Sequence, residues 1–160
     1  LKIKTGIGQD SHRIREPKER PLILGGVEFD APFSLEGNSD SDVILHAITN
    51  AISGVTGQPI LGPVADNLCK DGVTDSQEYL WLALADLTSI GFKVSHVSVS
   101  IECLRPKILP KLAELREHVA KLLTVSVNDV AITATTGEGL TDFGKGLGIQ
   151  AFAVLTAEKA

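Results

Sequence analysis

The sequence predicts an α+β fold of the α/β layer type: a single domain over residues 1–160, with a mixed β-sheet carrying helices packed on one face. Three observations predict it. Val97, Val99, Ile101 and Cys103 alternate with Ser98, Ser100 and Glu102, the pattern of a half-buried strand. Val43, Ile44, Ala47, Ile48, Ala51 and Ile52 recur at helical spacing, as do Leu112, Leu115, Val119 and Leu122. The closing run Ile149 to Ala157 is apolar at both parities, so that strand needs cover on both faces, helices on one side and a second subunit as the candidate on the other.

Taken in order, Lys2 to Gln9 alternates as a strand, with Ile3 and Ile7 on the expected core face and Lys2, Lys4, Gly6 and Gly8 opposite. Asp10 and His12 continue that second, non-core parity. A charged loop from Arg13 to Arg20 leads to a second strand, Leu22 to Phe29, where Gly25-Gly26 marks a bulge or turn. Ser39, Asp40 and Ser41 offer N-caps for the first helix, and Gly54 is its expected end. Gly57 to Gly72, with Pro59, Pro63 and Asp66, reads as a long loop, a feature that is often functional in compact domains. Thr74 and Gln77 form a capping box for a helix through Leu80, Trp81, Leu84 and Leu87 to Gly91. After the strand 97–103, Pro106 to Pro110 is a rigid link into the helix of Leu112 to Leu122. Strands Val130 to Thr136 and Ile149 to Ala157, joined by the glycine-rich run Gly137 to Gly148, complete the order β-β-α-α-β-α-β-β.

Composition narrows the function classes. With 43% hydrophobic and 22% charged residues the chain is ordinary globular material, and no apolar run is long enough for a membrane span. A net charge of -5 argues against a general nucleic-acid binder, which needs clustered cations for the phosphate backbone. Cys69 and Cys103 make neither a CxxC pair nor a disulfide framework, so a reducing compartment is expected. The bacterial cytoplasm is the first expectation. Because the chain starts at Leu1 and contains no Met, an upstream transit segment and a plastid stroma stand beside it.

Asp10 and His12 lie two residues apart on an extended segment and so project to one face, about 7 Å apart along it. A cation needs a third ligand, and His46 is the candidate: helical stepping puts it beside Asp42 and Asn50, off the apolar stripe. Alone, such a histidine is more often a solvated surface side chain. With Asp10 and His12 it completes a three-ligand set for zinc with an open position, and nitrogen and oxygen donors also admit manganese or cobalt. Gly37-Asn38-Ser39-Asp40 precedes the same helix, where it can be a plain cap or an anion seat. Thr135-Thr136-Gly137-Glu138 is an ordinary turn or a phosphate cradle with a carboxylate for a hard cation such as Mg²⁺. Gly144 to Gly148 is glycine-dense but lacks the ending of a Walker loop. Lys107 sits between two prolines and is a surface lysine or a ligand contact. His96 and His118 have no partners in the pattern and carry no assigned role.

These segments together resemble the 2-C-methyl-D-erythritol 2,4-cyclodiphosphate synthase family along the whole chain. The resemblance rests on Asp10-x-His12, Ile23 to Val27 (Ile-Leu-Gly-Gly-Val), Ser39 to Ala47 (Ser-Asp-x-Asp-Val-x-x-His-Ala), Pro106 to Pro110 (Pro-Lys-x-x-Pro), Ala134 to Glu138 (Ala-Thr-Thr-x-Glu) and the following Gly-Lys-Gly-x-Gly-Ile. It implies cyclisation of a cytidine diphosphate ester of methylerythritol 2-phosphate with departure of CMP. It also implies zinc or another divalent cation on Asp10, His12 and His46, and Mg²⁺ or Mn²⁺ on Glu138. Asn38 and Thr136 take the positions that stabilise the transition state, and Ser39 and Thr136 hold phosphate oxygens. Cys103, Arg105, Pro106, Lys107, Ile108, Leu109, Ala134 and Thr135 surround the CDP portion. The family is homotrimeric, with sheets around the threefold axis and each site between neighbouring subunits. The chain departs from the pattern at Asn38, where the family has histidine, and at Gln58-Pro59-Ile60-Leu61, where it has Gly-Asp-Ile-Gly, leaving Asp66 as the nearest carboxylate for the erythritol hydroxyls. Asp142 replaces an aromatic, and Lys145 replaces an arginine near the axis, without the bidentate fork. The same ligands would also serve a metal-dependent phosphohydrolase, or a trimeric module that binds cytidine nucleotide or isoprenoid diphosphate without turnover.

Overall fold

A computed structural model describes every residue from Leu1 to Ala160. In order, its elements are β1 (Lys2–Arg15), β2 (Leu22–Leu24), β3 (Val27–Phe29), β4 (Ser34–Leu35), α1 (Val43–Thr56), α2 (Pro63–Lys70), α3 (Ser76–Ser89), β5 (Lys93–Glu102), α4 (Leu112–Leu123), β6 (Val130–Thr135) and β7 (Gly148–Lys159). The main sheet has the order β4-β1-β7-β5-β6 and is mixed, since only β5 and β6 run parallel. No helix is long and apolar enough to cross a membrane. The expected second strand is a separate hairpin, β2-β3, with Gly25 and Gly26 at φ 62° and 76° supplying the left-handed two-residue turn. Asp42, fully buried, caps α1 through Leu45 N–H at 3.0 Å and accepts both turn amides, Gly25 and Gly26, at 2.7 Å. Burial pushes this carboxyl up to about 6, and the hairpin is tied to the helix through it.

The first strand is longer than its alternation suggests and faces the other way. Ile3 and Ile7 are 59% and 67% exposed, whereas Gly6 and Gly8 are buried under α1. A Cβ on Gly6 would lie 1.9 Å from Ala51 O, and one on Gly8 would lie 2.0 Å from Ala47 O. The helix therefore rests on bare strand backbone. Two strand residues advance about 6.8 Å and four helical residues about 6.0 Å, so the two elements stay in step over this contact. Gly6 meets Ala51, Gly8 meets Ala47, and Asp10 comes opposite His46. Gly54 is part of the same approach, not the helix end: its Cβ would be 3.2 Å from Gly6 Cα, and the left-handed residue that closes α1 is Gly57 at φ 73°.

Cover on the other side of α1 comes from α3, while α4 packs on β6. The expected loop 57–72 contains α2, which starts with Pro63 in its first turn, a position that suits proline because no helical amide is lost. The cap of α3 is Asp75 and not Thr74, its carboxylate accepting from Gln77 N–H at 2.9 Å. On the far face of the sheet Ile3, Ile7, Phe152 and Val154 stay exposed in the single chain, with Ile7 directly opposite Val154. That is the second apolar face of β7 read from the sequence.

Gly8→Ala is expected to lower stability by about 1–3 kcal/mol or more, because the added methyl meets helix backbone that cannot rotate away. Thermal unfolding of the variant checks it; a melting temperature equal to wild type would show that α1 does not sit this close to β1.

Candidate active site

Asp10 and His12 stand next to each other on the α1 side of β1, and His46 reaches them from the first turns of α1. Asp10 Oδ2 is 3.0 Å from His12 Nε2 and 3.1 Å from His46 Nδ1. One ligand atom from each residue lies within 4.8 Å of the others. Donors about 2.0–2.2 Å from a tetrahedral zinc sit roughly 3.3 Å from one another, so the spacing suits a small divalent cation. A second observation agrees: His12 Nε2 is buried with no hydrogen-bond partner, since the Asp10 contact lacks hydrogen-bond alignment. On the outer side, His46 Nε2 lies 2.7 Å from Ser76 Oγ, and the Glu36 backbone stands near His12. Such outer contacts orient imidazole ligands.

His46 is only 6% exposed, so it is not the solvated side chain that a lone histidine off the apolar stripe more often is. It does lie off the Val43–Ile52 stripe, but the first half of α1 is buried on every side, and there its polar side faces β1 and α3 instead of water. Tyr79 of α3 packs 6.2 Å from its ring, donates its hydroxyl to Val73 O and meets Cys69 Sγ at 2.8 Å. Burial, then Cys69, raise the tyrosine's pKa and keep the phenol neutral.

Burial opposes the charge of Asp10, but the close approach of His12 and His46 outweighs it and lowers its pKa. Burial likewise disfavours a charged His12, and Asp10 outweighs it, helped by the Glu36 contact and opposed by Arg20, so its pKa is raised above 6.5. Without metal the cluster therefore favours a proton in the place where a cation fits.

Around it lies a cavity of about 290 Å³ lined by Asp10, His12, Gly37, Asn38, Ser39, His46, Leu61, Gly62, Ala65, Asp66, Cys69 and Tyr79. The Asn38 and Asp66 side chains are exposed at its rim, and Ser39 is buried. A second cavity, of about 360 Å³, is lined by Cys103, Leu104, Pro106, Lys107, Ile108, Leu109, Pro110, Ala134, Thr135 and Thr136. The two share no residue. Thr135 Oγ1 accepts from Gly137 N–H at 3.1 Å, and Glu138 follows, exposed, at the left-handed φ of 55°. Burial, with Glu102 adding, pushes the Cys103 thiol up to about 11, so it is an inert wall. Arg105 turns its side chain elsewhere: it pairs with Glu16 and stacks 4.7 Å over Phe33. Lys145 is exposed and lines neither cavity.

Sequence reasoning missed Arg20. Its guanidinium donates to Leu35 O, Ser39 O, Gly37 O and Ser41 Oγ, gathering the loop that carries Asn38 and Ser39. In the sequence it is one of several charges before Pro21, and nothing there marks it. Ser76 is equally silent in the sequence, one small polar residue between Thr74 and Gln77.

The YgbB family model matches residues 3–158. The chain is 50% identical over 155 residues to the 2-C-methyl-D-erythritol 2,4-cyclodiphosphate synthase of Chlamydia muridarum, covering 96% of this chain and 86% of that protein. Its fold is similar to the crystal structure of the Plasmodium vivax synthase, with TM-score 0.84 and 26% identity, over 99% of both chains. A synthase structure in a CDP-bound form is similar too, with TM-score 0.84 and 28% identity, over 97% of this chain and 100% of that one.

Metal binding at this cluster is expected to weaken on acidification. His12 keeps its proton to a pH above 6.5, and a cation must displace it, so below that raised value affinity falls by about tenfold per pH unit. Calorimetric Zn²⁺ titrations of metal-free protein between about pH 8 and pH 6 measure this. A flat profile would exclude His12 as a ligand.

Proposed function

This chain belongs to the YgbB family, and on that premise we propose which of its residues carry the reaction. The activity is that of a phosphorus–oxygen lyase in the non-mevalonate isoprenoid pathway: 4-diphosphocytidyl-2-C-methyl-D-erythritol 2-phosphate becomes 2-C-methyl-D-erythritol 2,4-cyclodiphosphate and CMP. A 2-phosphate oxygen bonds to the β-phosphorus, and the bond from that phosphorus to the CMP oxygen breaks. Both reacting ends belong to one molecule, so the protein's task is positioning and neutralisation of charge. The Asp10–His12–His46 cluster beside buried Ser39 is the observation that carries this assignment.

When bound, a divalent cation on Asp10, His12 and His46, zinc by donor type, and Mg²⁺ or Mn²⁺ on Glu138 would draw negative charge from the phosphates. The chain's own groups do the rest. Ser39 and Thr136 donate hydroxyls to phosphate oxygens, and the Asn38 amide donates to the charge that develops during transfer. Arg20 holds the Asn38–Ser39 loop in place and adds positive potential behind it. Lys107, with Thr135, Ala134 and the backbone from Cys103 through Arg105 and Pro106 to Ile108 and Leu109, takes the CDP portion; the CDP-bound neighbour supports this use of the second cavity. Asp66, at the rim of the metal cavity, accepts from the erythritol hydroxyls.

The two cavities share no lining residue, which supports a site assembled between copies of the chain in a homotrimer. The exposed Ile3, Ile7, Phe152 and Val154 face supports the same arrangement, with Lys145 toward the axis. Bacterial relatives support a cytoplasmic setting. Neither hydrolysis nor binding without turnover is favoured by the family.

Incubation of the zinc-loaded protein and Mg²⁺ with the CDP-methylerythritol phosphate, followed by phosphorus NMR, is expected to show CMP and a cyclic diphosphate in equal amounts. Free phosphate without cyclic product would make the protein a hydrolase, and no conversion would overturn the enzyme assignment. Glu138→Gln is expected to retain zinc but to raise the Mg²⁺ concentration for half-maximal turnover by about tenfold, the scale of one lost charged contact. An unshifted Mg²⁺ titration would remove Glu138 from the second cation.

A further inference from the structure

His46 has two ring nitrogens, and the cation cluster uses one. Nδ1 faces Asp10 Oδ2 at 3.1 Å, while Nε2 lies 2.7 Å from Ser76 Oγ. Ser76 is completely buried in the first turn of α3, and its hydroxyl proton is already committed to Asp40 Oδ1. The same carboxylate accepts Ser76 N–H at 3.0 Å and Asp42 N–H at 3.1 Å, while Asp40 N–H donates to Thr74 O at 2.9 Å. A carboxylate only accepts, and a serine hydroxyl has a single proton. Ser76 Oγ therefore meets the ring with a lone pair, so Nε2 must carry hydrogen. With hydrogen held on Nε2, Nδ1 is the nitrogen left to face Asp10 and His12: it donates to the Asp10 carboxylate, which only accepts, and gives up that proton to offer a lone pair when a cation enters. Ser39 Oγ, 3.4 Å from Nε2, accepts Ser41 N–H at 3.1 Å and is the longer neighbour.

We propose that Ser76, held by Asp40, is a positioning residue that fixes His46 in the Nε2–H tautomer and so presents Nδ1 to the cation. This rests on the reading of Asp10, His12 and His46 as a metal centre. The bridge joins the segment before α1 to the start of α3, so the docking of those two helices sets how well the site holds its ion. The contacts also explain why a serine is buried at a helix start whose cap is already supplied by Asp75.

Nitrogen-15 NMR of the full chain with Zn²⁺ bound reads directly which His46 nitrogen carries hydrogen while the other faces the ion. The expected His46 spectrum has its proton on Nε2; a proton on Nδ1 overturns the proposal. Zn²⁺ affinity, measured by competition with a chromophoric chelator, is expected to fall about 10- to 100-fold in Ser76→Ala and to recover most of that loss in Ser76→Thr. Zinc affinity equal to wild type in a folded Ser76→Ala, even with a lower melting temperature, would leave Ser76 a purely structural role and overturn the proposal. Should Ser76→Ala fail to fold, the wild-type tautomer decides alone. A wild-type chain that binds no Zn²⁺ would sink the underlying metal-site reading and the proposal with it. Zn²⁺ binding with an Nδ1–H ring would sink the proposal alone.

Discussion

Helix α1 lies against strand β1 at a distance that only glycine permits. Two residues on one face of the strand, Gly6 and Gly8, have no side chain, and carbonyls of Ala51 and Ala47 occupy the space a Cβ would need. Two further consequences follow from that contact. Continuing along the same strand face, Asp10 and His12 come level with the start of the helix, so a metal-type cluster is built by the same register that builds the core. A helix held this closely by the sheet, with α3 on its other side, is buried on every side from Val43 to Thr49, and polar groups along that half find partners inside. Asp42 finds the Gly25-Gly26 turn, Thr49 donates to Leu45 O, and His46 finds Asp10 and Ser76.

Much of this architecture can be read from the chain, and the failures share a physical cause. The alternation of residues 97–103, the apolar stripes of α1 and α4 and the doubly apolar β7 appear where hydrophobic periodicity puts them. The orientation of β1 was misread because burial by glycine leaves no hydrophobic signal: Ile3 and Ile7 look like the core face only while Gly6 and Gly8 are counted as empty. The burial of His46 escapes the sequence for a related reason, since helical stepping tells which way a side chain points but not what stands there. Helix α2 was hidden in a stretch with two prolines because Pro63 begins the helix instead of breaking it.

The site was legible in its Asp and His cluster and not in the residues that support it. Asp10, His12 and His46 stood out because imidazoles are scarce in this chain and because strand geometry points the first two the same way. Arg20 and Ser76 act through backbone carbonyls and a ring nitrogen, contacts that any arginine or serine could make and that only three-dimensional placement reveals. The two departures from the family pattern also take on physical form. Asn38 sits on a loop whose positive potential comes from Arg20 behind it, and residues 58–66 lead into α2, which puts Ala65, Asp66 and Cys69 on the cavity wall.

The close packing of α1 on β1 brings three side chains together in an arrangement that suits a divalent cation. Anomalous diffraction at the zinc edge, from crystals of the protein grown with Zn²⁺, tests it most directly. That arrangement predicts a peak in every chain bonded to Asp10 Oδ2, His12 Nε2 and His46 Nδ1, with α1 still resting on Gly6 and Gly8. A peak at other side chains, or one from which His46 is absent, would contradict it.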